Sequence, residues 1–271
     1  MIVFPNAKIN IGLRITSRRP DGFHNIETLI VPVKLADALE VTPSADGLFG
    51  FSCSGIQIDG PEDSNLCVKA FRLMQVRYGL PEVKIHLHKV IPVGAGMGGG
   101  SSDAAYTMKL LNRVFSLRLC NNDLKAMAGE LGSDCAFFLE NRPCIATGKG
   151  DILAPFNAEI SGLHILIVKP GVSVSTVWAY GHVKPSGRHL PEPTEFPSDP
   201  EHWQKVLEND FEEVVFEAWP EIAAIKNQML KLGAVYASLS GSGSAVFGLF
   251  RQKPEYNGLF EGNFVWEGIT G

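Results

Sequence analysis

The chain has 271 residues, enough for one large domain or two modest ones at about 150 residues each, with about three-quarters of its unfolded surface buried on folding. Apolar residues make up 45% and charged residues 20%, and 24 Lys plus Arg against 29 Asp plus Glu leave a net charge of -5, which excludes disorder and a basic nucleic-acid footprint. Five cysteines without a C-x-x-C pair exclude a disulfide framework and a zinc site, and no apolar run reaches the roughly 18 residues of a membrane span.

Pro5, Asn6 and Lys8 stand where a signal peptide needs its apolar run, so a cytoplasmic protein is expected. Residues 7–15 alternate strictly, with Ala7, Ile9, Ile11, Leu13 and Ile15 against Lys8, Asn10, Gly12 and Arg14. That period predicts a half-buried strand with Lys8 and Asn10 side by side on its polar face. Pro20-Asp21-Gly22 reads as a turn, and 26–35 and 38–43 as further strands of an antiparallel N-terminal sheet. A helix is expected over 64–79, ending at Gly79, then a strand over 83–91. The run G-A-G-M-G-G-G-S-S-D-A-A at 94–105 opens into a helix marked by Ala104, Met108, Leu111 and Phe115, with Ser101 or Ser102 as its cap. Another helix, 123–131, is broken by Gly132 and followed by Ser133, Asp134 and the apolar C-A-F-F-L.

A strand over 163–169 closes at Pro170-Gly171, and five prolines in 185–200 predict an irregular surface loop. Helices are expected over 201–217 and 220–232, the second with Pro220 in its first turn and Gly233 as its stop. A-V-Y-A-S-L and A-V-F-G-L-F then read as two strands hinged on S-G-S-G-S. The whole predicts two α+β halves meeting near residue 150.

Glycine is in excess, 28 residues or about 10% against an ordinary usage of about 7%, and the excess is local. Glycines at 94, 96, 98, 99 and 100 free the backbone to point several N–H groups into one concavity, and the helix start behind them adds partial positive charge. That combination suits a polyphosphate. A P-loop is excluded because no Lys follows the glycines. Gly94, Gly96 and Gly99 satisfy G-x-G-x-x-G, but the preceding K-I-H-L-H alternates polar and apolar, unlike the buried parallel strand of a dinucleotide fold.

The run P-V-G-A-G-M-G-G-G-S-S-D-A-A at 92–105 resembles the phosphate loop of the GHMP kinases, and P-N-A-K-I-N-I-G-L at 5–13 and S-L-S-G-S-G-S-A at 238–245 supply that superfamily's other two motifs in order. A-K-I-N, P-D-G-F-H-N-I-E-T at 20–28, L-G-S-D-C-A-F-F at 131–138 and K-P-G-V-S-V-S-T at 169–176 resemble the branch that phosphorylates a cytidine-diphosphate-linked alcohol for isoprenoid synthesis. The resemblance implies a two-domain α+β fold. Residues 1–150 would form an ATP-binding domain with a mixed or antiparallel sheet and helices, residues 151–271 an α/β sandwich of ferredoxin-like type, and the active site the cleft between them. The partner implied is a small cytidine diphosphate substrate, with no nucleic acid and no membrane.

By the same resemblance Asp134 is the catalytic aspartate, and Lys8 pairs with it and stabilises charge on the substrate oxygen or the transferring phosphoryl group. From residue type alone Asp134 reads equally as a helix cap and Lys8 as a solvated edge charge. Pro92, Val93, Gly94, Ala95, Gly96, Met97, Gly98, Gly99, Gly100, Ser101 and Ser102 are implied to bind ATP. Asn65 and Lys89 fall on its adenine side, where their bare readings are a helix cap and an edge-strand charge. Asn10 and Thr176 are implied to position the substrate and His24 to recognise its cytosine. Phe23, where the family usually has Tyr, stacks on the base, and Tyr180 is either its second aromatic or a core residue. Ser240, Gly241, Ser242 and Gly243 would approach the substrate phosphates. ATP implies Mg²⁺, with Ser101 or Ser102 as hydroxyl candidates and no other ligand legible. His86 and His88 read as solvated.

Overall fold

The computed structural model describes residues 1–156 and 160–271. In chain order its strands are β1 (Ile2–Val3), β2 (Asn6–Arg18), β3 (His24–Ala36), β4 (Ala38–Pro43), β5 (Gly50–Gly55), β6 (Val83–Lys89), β7 (Cys144–Thr147), β8 (Ile152–Pro155), β9 (His164–Lys169), β10 (Tyr236–Leu239), β11 (Val246–Phe250) and β12 (Phe264–Ile269). The helices are α1 (Leu66–Tyr78), α2 (Gly99–Val114), α3 (Asn121–Leu131), α4 (Cys135–Glu140), α5 (Thr176–His182), α6 (Trp203–Val206), α7 (Phe211–Ala218) and α8 (Pro220–Lys231). The fold is α+β, and the chain packs as two discontinuous units. Among the described residues no helix is long and apolar enough to cross a membrane.

Unit one comprises Met1–Ala7, Leu35–Val93 and Gly98–Arg142. Its sheet has the order β1-β4-β6-β5, with β4 antiparallel and β5 parallel to β6. β6 keeps its period: Val83, Ile85 and Leu87 are buried, while His86 and His88 are exposed and bonded to Ser52 and Ser54. α1 begins where Asn65 Oδ1 accepts the Cys67 N–H at 2.9 Å and ends at Gly79, whose φ of +64° suits glycine. Val68, Phe71 and Met74 of α1 and Ala104, Met108 and Leu111 of α2 form the apolar layer.

Unit two comprises Lys8–Lys34, Gly94–Met97 and Pro143–Gly271. One sheet is antiparallel in the order β10-β11-β9-β12, and a second has the order β2-β3-β7-β8. A core of Leu166, Val168, Phe211, Val215, Ile222 and Met229 with their neighbours fixes α7 and α8 to the first sheet. The expected single N-terminal sheet is therefore divided: β2 and β3 lie in this unit, while β4 pairs in the sheet of unit one. The chain changes sheets at Asp37, whose N–H donates to the Pro5 carbonyl at 2.8 Å.

β2 departs from its reading in a second way, because both of its faces are buried. A Cβ on Gly12 would stand 2.9 Å from Leu190 Cδ2 and 3.3 Å from Leu207 Cβ. Arg14 is buried against Glu208 and Asp210 at 2.9 and 3.0 Å. The same contact breaks the expected 201–217 helix in two. Leu13 N–H donates to the Glu208 carbonyl and Asp210 N–H to the Leu13 carbonyl, so residues 207–210 run beside β2. The proline-rich loop is mostly exposed, as expected, yet pinned: Ser186 N–H donates to Ile15 O at 2.9 Å, and Glu27 accepts from Leu190 N–H at 3.0 Å and meets His189 at 2.7 Å. Cys53, Cys67, Cys120 and Cys135 are free.

Candidate active site

In unit two, residues 94–97 lie along the turn that joins β10 to β11. Ser244 and Ala245 N–H groups donate to the carbonyls of Gly94 and Ala95 at 3.3 and 3.2 Å, and Ser240 Oγ donates to Gly96 O at 3.0 Å. Gly94 and Gly96 have φ of +63° and +72°, and Gly241 and Gly243 of +56° and +95°. A side chain is excluded at Gly96 on contact as well as conformation, since a Cβ there would stand 1.8 Å from Ser240 O. Thr176 Oγ1 meets Ser242 Oγ at 3.2 Å, which joins the first turn of α5 to the same turn.

β2 starts beside this loop, with Lys8 N–H donating to Met97 O at 3.0 Å. Lys8 and Asn10 are on one face, as the period requires, but that face is closed: they are 4% and 3% exposed, so Lys8 is not a solvated edge charge. Lys8 Nζ donates to Asn10 Oδ1 at 2.5 Å. Asn10 Nδ2 donates to Thr28 Oγ1 at 3.1 Å, and Thr28 Oγ1 donates to Gly12 O at 2.6 Å. Thr28 spends its one proton on that carbonyl, so toward Asn10 it acts as acceptor and sets which way the amide faces. Sequence reasoning passed over Thr28, although its place beside the D-G-F-H segment was a usable signal.

At the start of β3, His24 stacks on Tyr180 of α5, with ring centroids 5.2 Å apart and planes 28° from parallel. Burial, helped by the charge of Arg18, lowers the His24 pKa, so its ring is neutral at pH 7 and offers one donor and one acceptor. Tyr180 is half-buried and also meets Phe211 edge-on. Phe23 is 56% exposed, with Lys149 Nζ 5.0 Å from its ring centre.

In unit one, α2 starts at Gly99 behind Gly98, which has φ of +68° and makes no side-chain cap. Neither serine caps the helix, because both lie inside its first turn. Ser101 bonds to the Cys135 thiol, which burial pushes up to about 11. Ser102 Oγ is buried with no hydrogen-bond partner among the described residues. Pro92 is buried, whereas Val93, Gly94 and Gly100 are exposed. Asp134 occupies the residue before α4 but makes no capping bond there. Asn65 is the cap of α1. Lys89 is not an edge charge, for its side chain is 3% exposed between Asp37 and Asp103. Among the described residues no three His, Cys, Asp or Glu side chains are grouped to hold a metal ion.

Two family models match the chain, GHMP kinases N terminal domain over residues 65–142 and GHMP kinases C terminal over residues 198–258. A 4-diphosphocytidyl-2-C-methyl-D-erythritol kinase of Cytophaga hutchinsonii is 48% identical over 262 residues, covering 94% of each chain. One of the same name from Bacteroides thetaiotaomicron is 48% identical over 92% of each. A crystal structure of 4-(cytidine 5'-diphospho)-2C-methyl-D-erythritol kinase aligns with TM-score 0.83 and 34% identity over 100% of both chains. A mevalonate kinase structure aligns at TM-score 0.77 with 12% identity, a likeness of fold alone.

Proposed function

The chain belongs to the GHMP kinases, and from that premise we propose how its residues carry out the transfer. It is an ATP-dependent kinase that phosphorylates the 2-hydroxyl of 4-diphosphocytidyl-2-C-methyl-D-erythritol in the non-mevalonate isoprenoid pathway, as near-full-length relatives at 48% identity support. The observation that carries the assignment of residues is the joining of the glycine loop, the 240–245 turn and the Lys8–Asn10–Thr28 chain in one unit.

Phosphoryl transfer asks the protein to clamp phosphates, offset charge and align the hydroxyl. Residues 94–102 supply backbone N–H groups and the positive end of α2 for the ATP phosphates. Lys8, aimed by Asn10, offsets negative charge on the transferring group. Asp134 orients the acceptor hydroxyl and takes its proton as the oxygen bonds to the γ-phosphorus and the bond to the bridging oxygen breaks, leaving ADP. The neutral His24 reads the cytosine edge, Phe23 and Tyr180 supply apolar ring faces, and Thr176 with residues 240–243 meets the substrate diphosphate. Asn65 serves the adenine end through the start of α1.

Mg²⁺ keeps several waters and takes its other ligands from phosphates and one or two protein oxygens. The first turn of α2 fits that pattern, with the hydroxyls of Ser101 and Ser102, the latter without a hydrogen-bond partner among the described residues. Bound there with ATP, the ion would neutralise charge on the phosphates. The free Cys53, Cys67, Cys120 and Cys135 are in keeping with a cytoplasmic site of action.

A substrate panel with Mg-ATP tests the reading. The cytidyl alcohol is expected to be phosphorylated and mevalonate and homoserine left untouched; the opposite pattern overturns the substrate assignment. In parallel, Asp134→Asn is expected to lower kcat by about 10²–10⁴ with the KM for ATP little changed. Unchanged turnover would remove Asp134 from the chemistry.

A further inference from the structure

Lys89 ends β6 and is enclosed within unit one. Its ammonium donates to Asp37 Oδ2 at 2.5 Å and to Asp103 Oδ2 at 2.7 Å. The other Asp37 oxygen, Oδ1, accepts the backbone N–H groups of Val90 at 2.6 Å and Ile91 at 2.8 Å. Asp37 thus holds the chain as it leaves β6 toward the glycine loop, and Lys89 joins that carboxylate to Asp103 on α2, the helix that receives the loop's other end. The ammonium also lies against the first residue of α2, because a Cβ on Gly99 would stand 2.9 Å from Lys89 Nζ and 3.0 Å from Ile91 Cγ2.

A buried ammonium beside a helix N-terminus is an unfavourable arrangement in itself, since desolvation and the helix dipole both oppose it. Two carboxylates offset that cost. Burial works against the Lys89 charge but is outweighed by Asp103 and Asp37, and its pKa is raised. A chain spends so many buried charges where geometry matters, and what they fix here is both stems of the loop.

We propose that Lys89 is a positioning residue: with Asp37 and Asp103 it forms a buried clamp that holds both stems of the glycine loop, and with them the first turn of α2, in the arrangement a polyphosphate needs, without touching the nucleotide. This rests on the reading of residues 92–102 as the phosphate loop, and it replaces a direct contact of Lys89 with the adenine. Preorganised N–H groups bind an anion without first having to be ordered, so the clamp acts on the phosphate end of ATP alone.

The experiment uses the full chain and two competitive probes against ATP, tripolyphosphate for the phosphate end and adenosine for the other. Lys89→Met and the isosteric Asp103→Asn are each expected to weaken tripolyphosphate inhibition by about tenfold and to leave adenosine within about twofold. The double variant should lose no more than the worse single, since the two residues act as one unit. Adenosine weakened by Lys89→Met alone would mean a direct base contact and overturn the clamp. Equal weakening of both probes would mean general destabilisation and overturn it too. Should Lys89→Met not fold, Asp103→Asn decides by the same criteria. Wild-type protein that fails to bind tripolyphosphate in competition with ATP would bring down the phosphate-loop reading itself.

Discussion

Gly96→Ala separates conformational strain from direct collision at the glycine loop, with Gly94→Ala as its partner. Both glycines are in the left-handed region, at φ +72° and +63°, so each alanine bears a backbone cost of about 1–2 kcal/mol. At Gly94 the new Cβ meets nothing nearer than Ser173 at 3.8 Å. At Gly96 it would stand 1.8 Å from Ser240 O and 2.8 Å from Ser240 C, both backbone atoms of a buried turn. A carbon and a carbonyl oxygen settle at about 3.3 Å, so the two segments must part by about 1.5 Å. Parting them breaks the bonds from Ser240 Oγ, Ser244 N and Ala245 N to the loop carbonyls, at about 1 kcal/mol each. The expected loss is about 1–2 kcal/mol for Gly94→Ala and about 4–5 kcal/mol for Gly96→Ala. Urea titration of both variants measures the difference, and kcat/KM for ATP should fall by at least about 10²-fold in Gly96→Ala. Equal stability of the two variants would refute the contact between the loop and the 240–245 turn.

His24→Ala is expected to raise the KM for the cytidyl substrate by about tenfold while the KM for ATP stays within about twofold, as steady-state kinetics with each substrate varied will show. Thr28→Val removes the donor to Gly12 O and the acceptor for Asn10 Nδ2. It should lower kcat by about tenfold with Thr28→Ser restoring it, and full activity in the valine variant would show that the amide needs no such guide. Burial raises the Asp103 pKa, with Lys89 opposing the rise and Asp37 adding to it. The native state therefore gives up this proton at higher pH than the unfolded chain does, so stability from this group is full below about pH 4 and falls as pH rises through the ordinary carboxyl range and the raised native value. Urea unfolding from pH 5 to 8 should show that slope in wild type, and Asp103→Asn should flatten it.

Local signals carried much of the fold. Gly79, Gly132 and Gly233 each stop a helix, Pro220 opens one, and the period of 83–89 survives intact. The break at 207–210 was invisible for a physical reason. Trp203, Leu207, Phe211 and Val215 recur every four residues and are all buried, so the apolar period runs straight across it. What interrupts the helix is pairing with Leu13, roughly two hundred positions earlier. The closed polar face of β2 has the same origin: Gly12 and Arg14 look solvated until Leu190 and residues 207–210 are folded over that strand. At the candidate site, the glycine motifs and the Lys8–Asn10 pair were legible because each is local. The clamp was not, since Asp37 and Asp103 lie 66 positions apart and Asp37 belongs to no motif.

The pinned proline-rich segment divides into two stretches with opposite engineering value. Residues 186–190 are tied to Ile15, Glu27, Glu208 and Asp210, so a cut or an insertion there would uncover the far face of β2. Residues 192–195 are exposed, and among the described residues they bond to one another through Glu195 N–H and Glu192 O. A protease should nick the chain there first, and an affinity tag or fluorophore inserted between Pro193 and Thr194 should leave the enzyme folded and working.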